Sequence, residues 1–358
     1  MHLGAVAHLG SMVVPAALAL AQRDGWSGEQ LMRAIVGGYE MGALLGTAIH
    51  ECGKSNPHFR SSGLIGAFAA AGAAACGQPT DEDTVVSALG LAVNSACGIN
   101  EWAWSAGSEL WIHNGTAARA GISSYSLAVA GVRASDAVLE GRDGFFKALG
   151  IGSDGADTFR KWIQESKIGR GTLDVRFKPA ACCNFTQTST ATALIIAKAG
   201  RLVAADVDLI TITTTTAAIN YPGCDNIGPM KNALQGKLCI QYGVCAALVL
   251  AQLDEKAWNP LYDTNITEMM PKCRLVASPE YDKKFKEGYQ PAQVEVVLKN
   301  GKVYRQETGD VPWLNESEVV ARFLKEMSSF APESRVKRLL DQCRHLERVQ
   351  QCRELLEA

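Results

Sequence analysis

A run of small residues constrains this chain most: Gly66, Ala67, Ala69, Ala70, Ala71, Gly72, Ala73, Ala74 and Ala75, within a segment that reads as one helix. Side chains this short let neighbouring helices approach closely, so the run predicts a dense multi-helix core rather than an open bundle. In a bilayer the same pattern would signal helix association, but the surrounding charges argue against that setting. The longest apolar stretch, residues 244–253, falls well short of the ~20 residues needed to span a membrane. The N-terminus lacks a basic region, and His8 and Pro15 interrupt its apolar run, so it does not read as a secretory signal.

The loop entering this helix carries the chemistry. His58, Arg60, Ser61 and Ser62 place an imidazole, a guanidinium and two hydroxyls where a helix begins. Helix starts expose N–H groups and a partial positive charge, which favour an anion. Arg60 can grip a carboxylate at two points, and His58 can carry a proton near neutral pH. Together they predict a pocket for a small carboxylic acid whose proton is moved.

At 358 residues the chain exceeds the usual single core, which predicts two domains. A net charge of -2 without any dense basic run argues against a dedicated nucleic-acid surface. Eleven irregularly spaced cysteines fit free thiols in a reducing cytoplasm better than a disulfide framework. Adjacent Cys182 and Cys183 lack a second pair, which argues against zinc. Glycines do not form a dinucleotide fingerprint after a strand, and no GxSxG pattern points to a hydrolase.

Helices joined by short turns are expected over the first ~170 residues. Ser27 with Gln30, and Thr80 with Asp83, read as capping boxes. After Gly171 the texture changes. Val207 to Ile212, Arg274 to Ala277 and Val294 to Leu298 read as strands, and Asn300-Gly301 as a type I′ hairpin turn before Val303. Helical pattern returns at Ser317, and the charged tail from Glu333 reads as a solvated amphipathic helix. The expected fold is mainly α with an α+β part: helical residues 1–173, an α+β lid over 174–310, and a helical C-terminal part over 311–358.

Six segments in order carry a resemblance along nearly the whole chain. They are His8-Leu9-Gly10 before Pro15; the His58 loop with its helix; His113-Asn114-Gly115-Thr116; Leu139-Glu140-Gly141 with Gly144-Phe145; Phe177-Lys178-Pro179; and Ile240-Gln241-Tyr242-Gly243. The chain thereby resembles the MmgE/PrpD family, which includes 2-methylcitrate dehydratase, cis-aconitate decarboxylase and iminodisuccinate epimerase. The resemblance implies a large helical domain built from both chain ends, a smaller lid, a homodimer, and no metal or organic cofactor. It also implies an active site in a cleft, with His58, Lys178, Tyr242 and His8 as catalytic residues. Arg60, Ser61, Ser62 and His113 would bind a small di- or tricarboxylate.

The sequence departs from the family pattern in four places. The chain starts almost at the His8 motif, where the family usually carries a long preceding segment, so it looks truncated. Leu9 stands where proline is common, Leu110 where a lysine is, and Gln187 where a histidine is. In β-elimination a base takes the proton beside a carboxylate while an acid protonates the departing hydroxyl. His58 suits the base, and Tyr242 or His8 the acid; Lys178 and Arg60 would stabilise the enolate-like charge. The expectation is a cofactor-independent lyase. An epimerase of an amino- or imino-dicarboxylate is the alternative favoured by Leu110 and Gln187, and an inactive truncated homologue is the third.

Overall fold

The computed structural model describes residues 1–53, 56–165, 169–200, 202–259 and 263–357. It is mainly helical with one small sheet, as expected for a mainly α fold with an α+β part. The chain divides into two compact units. The first comprises residues 1–100, 109–176 and 315–358; the second comprises 101–108 and 177–314.

In the first unit, α1 (Gly10–Asp24), α2 (Gly28–Glu51), α3 (Ser61–Gly77), α4 (Glu82–Val93) and α5 (Leu110–Val129) pack around α3. Nearly every residue of α3 is buried, as the run of small side chains predicts. The reason is visible at Gly42 of α2. A Cβ there would stand 2.9 Å from the Ala69 Cβ and 2.6 Å from Leu9 Cδ2, closer than real contacts allow. Helix α6 (Gly152–Gln164) packs on α2.

Local signals set the helix starts. Ser27 and Gln30 form the expected capping box, with Ser27 N donating to Gln30 Oε1 at 3.0 Å. The α4 start shifts by one residue: Asp81 caps it, accepting from Thr84 N at 2.9 Å. Thr80 instead donates to the Gln78 carbonyl and contacts the Tyr125 hydroxyl. A carboxylate accepts the cap hydrogen bond more strongly than a neutral hydroxyl.

In the second unit, strands β1 (Val207–Thr214), β2 (Cys273–Ala277), β3 (Ala292–Leu298) and β4 (Val303–Thr308) form a sheet in the order β2-β1-β3-β4. β1 pairs parallel with β2 and antiparallel with β3. The β3–β4 hairpin turns one residue earlier than expected: Gly301 N donates to the Leu298 carbonyl at 2.9 Å, so Lys299 and Asn300 are central and Gly301 follows at φ +81°. Asn300 takes no positive φ, so the turn is not the type I′ expected at Asn300-Gly301. Helix α7 (Gln187–Ala197) lies across β3 and β4 and packs on α8 (Ile240–Leu250); Tyr242, Cys245 and Trp258 share this core.

Chain order returns to the first unit with α9 (Glu316–Met327) and α10 (Glu333–Arg344). The tail is not solvated throughout, as its charge had suggested. Val349, Cys352 and Leu355 are buried beside Trp26 and Leu20, and Cys352 N donates to the Trp26 carbonyl. Apolar residues at irregular spacing escape a helical pattern but still fill a core. Among the described residues, no helix is long and apolar enough to cross a membrane.

Candidate active site

Three helix starts in the first unit present the polar residues flagged by sequence. His8 and Leu9 lead into α1, Arg60 occupies the N-cap position of α3, and His113 closes the first turn of α5 with Asn114 opening the second. A directional chain of hydrogen bonds ties them. Arg60 Nη1 donates to Asn114 Oδ1 at 2.6 Å, and Asn114 Nδ2 donates to Ser11 Oγ at 2.6 Å. The Ser11 hydroxyl then donates to the His8 carbonyl at 2.6 Å, while His8 N donates to Ser62 Oγ at 3.2 Å. Both ends of the Asn114 amide are engaged, so its orientation is fixed.

His113 adds a neutral imidazole to this group. Its pKa is held below the ordinary value, first by desolvation and then by the Arg60 cation, with Glu109 opposing. Nδ1 of His113 is buried without a hydrogen-bond partner among the described residues. Arg60 and the helix N–H groups thus supply positive potential, and the His113 ring stays uncharged beside them.

His58 is anchored through its backbone: its N–H donates to Asn56 Oδ1 at 2.9 Å and its carbonyl accepts from Asn100 N at 2.8 Å. The side chain is exposed. Ser61 faces inward, donating to the Ala5 carbonyl at 2.7 Å and meeting His50 Nε2 at 3.0 Å. Because Ser61 spends its proton on Ala5, His50 donates through Nε2.

Burial pulls the His50 pKa down to about 4. A group depressed in the folded state contributes stability above its unfolded pKa and loses it as pH falls through the folded one. The window is therefore from about 6.5 down to about 4. At roughly pH 5 the linkage costs on the order of 2 kcal/mol. Urea unfolding of the parent chain and His50→Gln at neutral pH and at that pH checks this: the parent should lose more stability than the variant.

The other two catalytic candidates lie in the second unit. Lys178 is half-buried and donates to the Cys182 carbonyl at 3.1 Å. Gln187 pins the same loop: Oε1 accepts from Ala180 N, and Nε2 donates to the Ala180 and Cys182 carbonyls. Gln187 thus shapes the Lys178 loop. Tyr242 is fully buried, and its hydroxyl donates to the Ala257 carbonyl at 2.9 Å. Burial pushes its pKa up, so the hydroxyl keeps its proton and serves the core.

Ser11, His50 and Asn114 were not singled out by sequence as site residues. Asn114 stands in the His113 motif, so the signal was present but was read through its histidine. Among the described residues, no group of three His, Cys, Asp or Glu side chains is placed to hold a metal ion.

Comparison with known proteins agrees with this architecture. Residues 1–156 match the MmgE/PrpD N-terminal domain and residues 180–345 the MmgE/PrpD C-terminal domain. The chain belongs to the MmgE/PrpD family. It is also similar to cis-aconitate decarboxylase of Aspergillus terreus (strain NIH 2624 / FGSC A1156), at 31% identity over 194 residues, or 51% of this chain. A second Aspergillus terreus cis-aconitate decarboxylase matches at the same identity. The match covers 39% of the length of each relative.

Proposed function

We propose that this chain is a lyase of the dehydratase or decarboxylase type acting on a small di- or tricarboxylate, without an organic cofactor. The observation that carries the reading is Arg60, held at the start of α3 by Asn114 beside His8 and His113. This is a cation on a helix N-terminus with proton carriers around it, suited to a carboxylate. Arg60 anchors the acid and stabilises enolate-like charge as it develops. His58 takes the proton beside the carboxylate, and His8, whose backbone is fixed by Ser62 and Ser11, returns one. Each transfer contributes typically 10²–10⁴-fold, roughly 3–5 kcal/mol. Tyr242 does not enter the proposal, because its hydroxyl is committed to Ala257, and Lys178 lies in the second unit, where it donates to the Cys182 carbonyl.

The test is to incubate the full chain with citrate-like hydroxy-acids and with cis-aconitate while following alkene absorbance. Alkene gain from the hydroxy-acids, or carbon dioxide release from cis-aconitate, is the expected result, and His58→Ala or His8→Ala should slow it at least a hundredfold. Deuterium entering the α-carbon from solvent without turnover would point to epimerisation instead. Neither signal at high protein concentration would defeat the proposal.

A further inference from the structure

The loop carrying Lys178 also carries one thiol of a pair that the lyase reading does not use. Cys183 is half-buried, and Cys224, wholly buried, directs its thiol at Cys183 Sγ from 3.9 Å. Cys183 N is fixed to the Lys237 carbonyl at 2.7 Å, and Cys224 is fixed through its carbonyl to Ile240 N at 2.9 Å. Both sulfurs thus sit on tethered backbone, Cys183 in a half-buried residue and Cys224 in a wholly buried one. The Cys224 thiol favours the Cys183 thiolate most; burial opposes it, and the Lys178 ammonium and the backbone N–H groups of Phe185 and Asn184 add further support, so that the Cys183 pKa falls overall. Among the described thiols with a shift, only Cys183 is pulled downward. Burial pushes up Cys182, Cys224 and Cys245, and takes Cys239 to about 12.

We propose that Cys183 and Cys224 are a redox-active dithiol that small-molecule disulfides such as oxidised glutathione convert to an intramolecular disulfide. The Cys183 thiolate attacks one sulfur of the oxidant, forming a mixed disulfide and releasing one thiolate, which takes up the proton Cys183 gave up. Cys224 then gives its proton to solvent and attacks Cys183 Sγ, expelling the second thiolate, which is protonated in turn. The protein loses two hydrogens, the oxidant gains them as two thiols, and the charges balance. Closure requires the sulfurs to approach from 3.9 Å to about 2 Å. A second close pair, Cys245 and Cys273 at 3.4 Å, has Cys245 buried with its thiol pushed up, and provides an internal control. The proposal stands whether or not the lyase reading holds.

The experiment treats the full chain with excess oxidised glutathione near neutral pH, quenches in acid, and maps the linked peptides by mass spectrometry. A Cys183–Cys224 cross-link should form before any modification of exposed Cys76, Cys97 or Cys343. Cys224→Ser should stop at a single glutathionyl adduct on Cys183. Should that variant fold poorly, pulsed alkylation of the parent chain at about pH 7 replaces it, with Cys183 expected to react about tenfold faster than Cys97. A Cys183 that stays reduced while the exposed thiols react, a Cys245–Cys273 link formed first, or alkylation no faster than that of Cys97 would each overturn the proposal.

Discussion

Arg60→Ala is expected to lower kcat/KM toward a small polycarboxylate by about 10²–10³, with little change in melting temperature. That range corresponds to roughly 3–4 kcal/mol of lost transition-state stabilisation, the scale expected for one charged, two-point carboxylate contact and its oxyanion role. Arg60→Lys should recover only part of the loss, because an ammonium lacks the planar fork that meets a carboxylate and Asn114 together. Steady-state kinetics on both variants checks this. An Arg60→Ala enzyme with parental kcat/KM would remove the anion site from the mechanism. Asn114→Leu should fall between the two, since it leaves the charge but releases its aim.

Gly63→Ala is expected to destabilise the chain by about 3 kcal/mol or more, although alanine is the better helix former by about 1 kcal/mol. A Cβ at position 63 would lie 2.1 Å from the Cys97 carbonyl oxygen and 3.1 Å from Gly98 Cα. That backbone cannot yield cheaply: Gly98 O accepts from Arg60 N at 2.7 Å, and Asn100 N holds the His58 carbonyl. The substitution would therefore push on both strands of the site loop at once. Gly115→Ala is the matched control. It lies in α5 with open space around its added methyl group, and it should stabilise by about 0.5–1 kcal/mol. Urea unfolding of the two variants gives the comparison, and equal midpoints would refute the close approach.

Much of the architecture was legible because it rests on short-range physics. The α3 small-residue run and the Ser27–Gln30 box each act within a few residues, so local pattern was enough; the same kind of pattern placed the β3–β4 hairpin but misassigned its turn, which centres on Lys299 and Asn300. The α4 cap was misplaced by one residue because Thr80 and Asp81 both carry capping oxygens, and only the Tyr125 hydroxyl across the fold drew Thr80 away. The buried tail end was misread for a related reason: Val349, Cys352 and Leu355 become core only because Trp26 is there to receive them.

At the site, sequence alone determined which residue types were on hand: imidazoles, a guanidinium and hydroxyls beside a helix of small residues. Tertiary structure decided which of them meet. Asn114 reaches Arg60 across 54 residues and Ser11 across 103, and Gln187 became a loop clamp on Lys178 instead of a lost proton carrier. Hydrogen bonds between distant positions depend on where packed helices deliver their ends, and no local periodicity encodes that.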